Sequence, residues 1–478
     1  MCGVIGLIGP DEVFPDLVDG MVILQHRGQD AAGIMTYSPA GFHVMKDLGL
    51  ARDVFSSPAA AGMRGNSGIG HLRYTTVGAG QVEDAQPFIT NSPYGIAMCH
   101  NGNLTNFIKL KQELTVKCRR HINSWCDVEA LLNVFADELQ NLNGLEFEEA
   151  VFKAVEGTYR RAEGTYSAVT LVAGQGLLAF RDPYGIRPLV FGKREGPDGV
   201  HHMVASESAA LTALGYSLVR DVRAGEAILF KQDGSILKQQ VAEPKHHPCI
   251  FEYIYFARPD SNLNGQNVYT YRKELGRLLA REHPVNADLI VPVLDSGNTA
   301  ALGYAEEIGV PYEQAMIRNH YVRRTFIEPA QSIRHFGVKV KHNAVASVLK
   351  GKRVVLVDDS IVRGTTLIKL VTMLRNAGAS EVHLRISAPP TVGPCHYGID
   401  TPTREELIAN NHSVDEICQI IGADSLRYLS LEGLRRSAEP LKSGFCDACF
   451  SNEYPVAAEN SDNPPQLSLF RTVEDDDA

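Results

Sequence analysis

Cys2, followed by Gly3-Val4-Ile5-Gly6, carries a thiol on a residue that would also carry an α-amine once Met1 is removed. Such an amine titrates at about 7.7–8.0, so near neutrality a fraction is unprotonated and takes the thiol proton, directly or through water. On position alone, a small second residue that simply permits methionine removal is the plainer reading. A second stretch with chemistry in it is Val354-Val355-Leu356-Val357-Asp358-Asp359-Ser360-Ile361-Val362-Arg363-Gly364-Thr365-Thr366: a strand, an acidic pair, a tight turn and a helix start. The N–H groups of the turn through Ser360, Val362, Arg363 and Gly364, with the Thr365 and Thr366 hydroxyls, would gather at a helix N-terminus. There donors are unpaired and the dipole favours an anion such as a 5′-phosphate. Asp358 and Asp359 repel a bare phosphate, but they accept from ribose hydroxyls and anchor hydrated Mg²⁺. A helix cap needs one acid, not two followed by Arg-Gly-Thr-Thr. The stretch lacks the G-x-x-x-x-G-K-[ST] pattern, so ATPase chemistry is not indicated.

The elements that must position these residues fall into two styles. Residues 2–235 carry short alternating strands with Gly-rich turns, such as Val4 to Ile8, Ser67 to His71, Gly95 to Cys99, Ser167 to Leu171 and Leu177 to Phe180. Helices are expected near Phe14 to Leu24, Val128 to Leu139 and Phe147 to Val155, which together predict an α+β layered domain of stacked sheets. The pattern breaks at Val241 to Pro248, a linker with two prolines. Residues 236–455 then alternate helix with β-branched strand (Asp288 to Val293, Arg353 to Val357, Val382 to Ile386), the mark of a parallel, doubly wound α/β sheet. Residues 456–478 turn polar and acidic and read as a disordered tail. His201-His202 and His246-His247 are tempting metal pairs, but adjacent histidines in hairpin or linker positions are expected to be solvated surface.

At 478 residues the chain is too long for one ordinary core, and 46 Lys+Arg against 56 Asp+Glu argue against a nucleic-acid binder. No apolar stretch exceeds strand length and no leader precedes Cys2, which implies a cytoplasmic protein. Nine cysteines, an odd number, argue against a disulfide framework. Cys99, Cys118, Cys126 and Cys418 have no motif spacing and read as small core residues.

The run from Val354 resembles the phosphoribosyl-diphosphate loop of type I phosphoribosyltransferases. By that resemblance Val291 to Asn298 is the pyrophosphate-side loop, with Ser296 near the Mg²⁺. The basic stretch Arg318 to Pro329, continuing to Arg334 and Lys339 to Lys341, lies between the two loops. As a bare charge run it is a solvated loop; its place favours a lid that neutralises pyrophosphate and excludes water. At the front, Cys2 to Gly6, His26 to Gly33, Gly70 to Thr76, His100 to Asn106, Asp127, Glu163 to Ser167 and Arg181 to Leu189 resemble the N-terminal-nucleophile (Ntn) glutaminase domain, an αββα sandwich. The order of the two halves is similar to that of the glutamine phosphoribosylpyrophosphate amidotransferase family, in its iron–sulfur branch. Asparagine synthetases and glucosamine-phosphate synthases look similar at the front only.

That resemblance implies roles. Cys2 would attack the amide of glutamine. Asn101 and Gly102 would supply the oxyanion donors, Arg73 would hold the substrate α-carboxylate and Asp127 its α-ammonium. Ammonia would then displace diphosphate from phosphoribosyl diphosphate, giving 5-phosphoribosylamine for purine synthesis, with purine nucleotides as feedback inhibitors and a homotetramer as the assembly. Cys249, Cys395 and the pair in Cys446-Asp447-Ala448-Cys449 match the branch that holds a [4Fe–4S] cluster. Residue type alone leaves tetrahedral zinc open. Members of this branch often carry a propeptide before the cysteine, and His320, Arg323, His342 and Asn343 depart from the expected lid pattern. A non-catalytic phosphoribosyl-diphosphate sensor and a stand-alone glutaminase are the rival classes. Intact Cys2, Arg73, Asn101, Gly102 and Asp127 argue against the first, and the complete sugar-phosphate loop against the second.

Overall fold

The computed structural model describes residues 1–74, 81–319, 342–437 and 444–457. Thr75, Thr76, the lid stretch from His320 to Lys341 and the tail from residue 458 lie outside the described residues.

Two antiparallel sheets form the first unit. The seven-stranded sheet runs Ser217–Asp221, Val190–Gly196, Gly199–Ala205, Gly3–Ile8, Ser67–Arg73, Ala31–Ser38, Gly41–Leu48, so the amino-terminal strand is central. The six-stranded sheet runs Ile236–Gln240, Glu226–Phe230, Gly176–Arg181, Gly164–Val172, Ile96–Leu104, Phe88–Thr90. Period-two alternation sorts the apolar residues into layers. Val4 and Ile8 face inward with Ile69, Cys99, Val169 and Ala179. The helices Asp127–Gln140 and Phe147–Arg161 bury Leu131, Phe135, Val151 and Val155 against Met98, Tyr166 and Phe180 of the six-stranded sheet. Helix Phe14–Ile23 covers the other sheet with Leu17 and Met21. The sheets stack as the alternating pattern predicts, and the layers are αββα, as the resemblance to the Ntn glutaminase domain implies. The sheet does extend past residue 235: Ile236–Gln240 pairs antiparallel with Glu226–Phe230, because a tight turn from Lys231 to Ser235, closed by the Gly234 N–H on the Lys231 carbonyl with Gly234 at φ +82°, returns the chain as a hairpin.

The second unit has a parallel sheet ordered Leu289–Pro292, Arg353–Asp358, Glu381–Ile386, Ser425–Tyr428. A parallel bridge from Ile290 to Tyr312 adds chain on the far side of the first strand. From Leu289–Pro292 the chain therefore runs outward to Tyr312 and crosses back to Arg353, a topological switch point between the two phosphate loops. Helices cover both faces. Val268–Glu282 and Asn298–Ile308 pack Leu275, Ala301 and Tyr304 against Ile290, Val355 and Val357. Thr365–Asn376 and Val414–Ile421 pack Leu370, Leu374 and Ile417 against Val291, Val354 and Leu356. One apolar cluster runs from Ile5, Leu17 and Met21 into Ile254, Leu275 and Val355, so the two units share buried surface.

His201 and His202 correct an expectation. Strand Gly199–Ala205 has neighbours on both sides, and the two histidines are only 5% and 4% exposed. His201 Nε2 faces Asp11 at 3.2 Å and His202 Nε2 meets the Gly234 carbonyl at 3.1 Å. Of the cysteines without motif spacing, Cys99 and Cys126 are buried, whereas Cys118 and Cys418 are half-buried. The Cys118 Sγ lies in a polar setting, 3.4 Å from Asp137 and 3.5 Å from Arg161.

Candidate active site

Strand parity brings the amino terminus onto the inner sheet. Gly6 faces inward with Val4 and Ile8, and a Cβ there would stand 2.6 Å from Val169 Cγ1, so the sheets approach closely at this point. Cys2, on the same parity just before the strand, meets strand Ile96–Leu104. Its N–H donates to Asn101 Oδ1 at 3.2 Å and its Sγ lies 3.9 Å from the Tyr74 carbonyl. Engagement of Oδ1 fixes the orientation of the Asn101 amide. Its Nδ2 is then buried with no hydrogen-bond partner among the described residues. A buried donor left unmade costs about 1–3 kcal/mol, which an incoming oxyanion would relieve. Next to it, Gly102 admits no side chain, since a Cβ would lie 1.9 Å from the Thr165 carbonyl oxygen.

Arg73 closes strand Ser67–Arg73, buried, with Nη2 3.6 Å from Asp84. Asp127 is the first residue of helix Asp127–Gln140, where the dipole favours a carboxylate. Its Oδ2 accepts from His100 Nε2 at 3.2 Å and the Leu104 N–H at 2.9 Å. Burial pushes the Asp127 carboxyl up, but His100 and the Leu104 N–H outweigh it and hold the group below the usual carboxylate range. Cys2, Arg73 and Asp127 come together around one small volume. Burial pushes the Cys126 thiol up, Asp127 and Cys2 adding to this while Arg73 opposes it.

Two arginines, one in the motif His26 to Gly33 and one in Arg181 to Leu189, tie the amino terminus to distant parts of the chain. Arg27 is fully buried. Its Nε donates to the Cys2 carbonyl at 3.1 Å, Nη1 to Glu207 and Nη2 to Glu252 Oε1 at 2.7 Å. Arg187, equally buried, donates through Nε to the Tyr397 carbonyl at 2.7 Å and lies 3.7 Å from Cys395 Sγ. Its Nη1 stands 2.6 Å from the sulfur of Met1, which is itself only 1% exposed. Burial pushes the Met1 ammonium down to about 6. Local spacing gives no sign of these contacts, because Glu252 is 225 positions from Arg27 and Tyr397 is 210 from Arg187.

The four family cysteines converge. Cys249 and Cys446 form a parallel bridge, the Cys446 N–H donating to Pro248 and the Ile250 N–H to Cys446. The N–H groups of Val392 and Gly393 donate to the Cys449 carbonyl. Burial pushes the Cys249 thiol up to about 11, and burial with the three other thiols pushes Cys449 well above its usual range. Among the described residues no three His, Cys, Asp or Glu side chains stand close enough to hold a metal ion. Cys249 and Cys446 are buried and Cys395 and Cys449 half-buried, and thiols of this type serve either an iron–sulfur cluster or tetrahedral zinc.

At the switch point, Ser296 Oγ donates to Asp358 Oδ1 at 2.8 Å, joining the two loops. The peptide between Leu294 and Asp295 is cis. Gly297 lies against the second strand, where a Cβ would be 2.2 Å from the Val357 carbonyl oxygen. Asp358 and Asp359 are buried. Burial and the neighbouring Asp359 raise the Asp358 carboxyl well above its usual range. Metal or hydroxyl donors would restore the charge. Ser360 Oγ donates to Asp359 Oδ2 at 2.6 Å. Gly364, at φ +75°, caps helix Thr365–Asn376 with no side-chain bond, and the Thr365 and Thr366 side chains are exposed beside it. The Val362 carbonyl accepts from the Ile408 N–H and Arg363 pairs with Glu406 at 3.2 Å, steadying the turn from outside. Arg318 and His342 pair as neighbours in a short antiparallel ribbon, and Arg318 bonds Asp295, so the base of the lid stretch stands over the pyrophosphate-side loop.

Fold and site together define a glutamine amidotransferase joined to a phosphoribosyltransferase. Family models for a glutamine amidotransferase domain and a phosphoribosyl transferase domain match residues 71–213 and 269–394. The amidophosphoribosyltransferases of Pseudomonas aeruginosa and Escherichia coli are each 46% identical over 91% of this chain and 88% of their own length. That of Archaeoglobus fulgidus is 44% identical over 96% and 98%. A glutamine phosphoribosylpyrophosphate amidotransferase from B. subtilis, solved with ADP and GMP, superposes with a TM-score of 0.85 at 40% identity, covering 96% of this chain and 98% of its own. The chain belongs to the amidophosphoribosyltransferase family.

Proposed function

We propose that this chain hydrolyses glutamine at Cys2 and passes the ammonia to phosphoribosyl diphosphate, yielding 5-phosphoribosylamine, glutamate and diphosphate for purine synthesis. The observation that carries this reading is the buried, partnerless Asn101 Nδ2 beside a cysteine at the amino terminus.

Removal of Met1 turns the Cys2 N–H into an amine. A neutral amine still donates one hydrogen to Asn101 Oδ1 and keeps a lone pair for the thiol proton. Sulfur then attacks the amide carbon. Asn101 Nδ2 and the Gly102 N–H stabilise the oxyanion, the protonated amine returns its proton to the leaving nitrogen, and water opens the thioester. Arg73 and Asp127 grip the charged ends of the amino acid. In the second unit the Ser360 to Thr366 turn takes the 5′-phosphate, while Asp358 and Asp359 accept from the ribose hydroxyls. Ammonia displaces diphosphate at C1 with inversion, shielded between the units. Ser296, Asp358 and Asp359 fit Mg²⁺, a hard cation that needs few protein oxygens and, when bound, neutralises the leaving group. Cys249, Cys395, Cys446 and Cys449, thiols of the type that ligate iron–sulfur clusters, would hold a structural [4Fe–4S] cluster on drawing closer than they stand in this structure.

We place the protein in the cytoplasm. All nine cysteines are free thiols, and no described helix is long and apolar enough to cross a membrane. A neighbour from B. subtilis solved with ADP and GMP supports purine nucleotides as inhibitors, which a rate assay with added nucleotide checks; a homotetramer is what the family resemblance implies, and equilibrium sedimentation checks it.

The test of the whole reading is Cys2→Ala: glutamine-dependent synthesis is lost and ammonia-dependent synthesis persists. Equal loss of both activities would contradict separate sites. An intact mass showing Met1 retained in fully active wild-type enzyme would remove the free Cys2 amine from the mechanism.

A further inference from the structure

The second unit walls the oxyanion site. Gly398, at φ +98°, lies so close to Gly102 that a Cβ on it would stand 2.7 Å from the Gly102 carbonyl oxygen and 3.0 Å from its carbonyl carbon. From the opposite side the Thr165 carbonyl oxygen leaves Gly102 no room for a Cβ of its own. The backbone at 102 is therefore clamped between its partner strand and a turn nearly 300 residues away in sequence. Asn103 adds a specific tie, its Nδ2 donating to the His396 carbonyl at 2.9 Å.

The turn is itself fixed. The Tyr397 carbonyl accepts from Arg187 Nε at 2.7 Å and Thr165 Oγ1 at 3.5 Å. The Tyr397 hydroxyl donates to the Val456 carbonyl at 2.6 Å and accepts from the Val456 N–H at 3.0 Å. The Cys395 N–H donates to Thr401 Oγ1 at 2.6 Å. A rigid support on one side and a glycine contact on the other is the arrangement that holds a backbone donor in one orientation.

We infer that the turn from Cys395 to Gly398 sets the orientation of the Gly102 peptide, and that Gly398 and Asn103 are positioning residues for amide cleavage. Neither touches the substrate; both act through Gly102. This rests on the reading of Asn101 and Gly102 as the oxyanion donors. A Cβ at 398 must push aside the Gly102 carbonyl, which shares a rigid peptide with the Asn103 N–H, and the dihedrals of Gly102 shift to absorb the push, tilting the Gly102 N–H in the peptide before it. Hydrogen bonds weaken steeply with angle, so a small rotation removes most of that donor's contribution. Because the oxyanion exists only after sulfur attack, the rotation slows turnover without loosening bound glutamine.

Full-length Gly398→Ala and Asn103→Ala test this. Gly398→Ala lowers the glutamine-dependent kcat by about tenfold or more, and Asn103→Ala lowers it by at least about threefold, a part of the loss seen on deleting one oxyanion donor. In both, the KM for glutamine and the ammonia-dependent rate stay within about twofold of wild type, a split that simple loss of folding cannot produce. Asn103→Ala introduces no clash and decides the matter if Gly398→Ala does not fold. Unchanged glutamine kcat in Asn103→Ala, or parallel loss of both activities in it, overturns the inference. If that happens while Cys2→Ala still abolishes glutamine use alone, the positioning role fails and the proposed function stands.

Discussion

Asn101 offers the sharpest test of the glutamine site, because its two amide atoms have separable jobs. Oδ1 accepts from Cys2 N at 3.2 Å, and the buried Nδ2 has no partner. Asn101→Ala removes both atoms. Asn101→Asp keeps the shape and the acceptor for Cys2 N but, ionised at about pH 8, has nothing to donate. Loss of one preorganised oxyanion donor costs about 2.7–4 kcal/mol, or about 10²–10³ in kcat. The lost bond to Cys2 adds about 1 kcal/mol in the alanine variant only. Both variants therefore lose at least about 100-fold in the glutamine-dependent kcat, with the alanine variant further reduced by about fivefold. The assay follows glutamate release against glutamine concentration, with diphosphate release from free ammonia measured in parallel. KM for glutamine stays within about threefold and the ammonia rate is retained, since the donor meets charge only in the transition state. Near-normal turnover in Asn101→Asp beside a crippled Asn101→Ala would show that the residue merely holds Cys2, and the oxyanion argument would fail.

Two further outcomes follow from the buried charges and thiols. Protein purified without oxygen contains about four iron and four sulfide per chain, as a Cys₄-ligated [4Fe–4S] site requires, and Cys395→Ser lowers both; stoichiometric zinc in their place refutes the cluster. Glu207 accepts from His26 at 2.7 Å, from Arg27, and from the Arg258 N–H and Ser261 Oγ at 2.8 Å. Burial pushes its carboxyl up, but His26 and Arg27 prevail and hold it far below its ordinary 4.5. A depressed carboxylate stabilises the fold fully above its unfolded value and loses that contribution as pH falls below it. Melting temperature therefore drops between about pH 5 and pH 3 in wild type and less steeply in Glu207→Gln, which is already weaker at pH 7 by about 3–5 kcal/mol through its broken buried pair. Parallel pH slopes for the two proteins would remove Glu207 from the account of acid lability.

The amino-acid pattern exposes the fold where one short-range rule governs. Val354 to Val357 is an unbroken apolar run, three valines and Leu356, and forms a central parallel strand. The acidic pair and Arg-Gly-Thr-Thr that follow it fall at the strand end and helix start that their types require. Alternation in Val4 to Ile8 likewise fixes which residues face the second sheet. What spacing cannot carry is the choice of distant partner. Arg27 and Arg187 sit in motifs whose local spacing offers them no partner, yet both are fully buried because carboxylates and carbonyls from far along the chain close around them. His201 and His202 were misplaced for the same reason. Their hairpin position suggests solvent, but strands on both sides and the chain at Asp11 and Gly234 cover them.

Those long-range contacts also explain why the two halves behave as one protein. Arg27 holds the Cys2 carbonyl with one nitrogen and spreads the others over Glu207 of the first unit and Glu252 of the second. Glu252 lies three residues past Cys249, so the segment that leads into the thiol quartet also anchors the nucleophile. Buried ion pairs stabilise little against an apolar replacement, but losing one partner leaves an uncompensated charge, so the network tolerates only one relative placement of its members. Arg187 repeats the arrangement from the other side, joining Tyr397 and Cys395 to the amino terminus. Cys2 is thus placed by guanidinium groups whose anionic and carbonyl partners come from both units. A glutaminase half cut away from residue 249 onward would leave Arg27 without Glu252 and Arg187 without Tyr397 and Cys395.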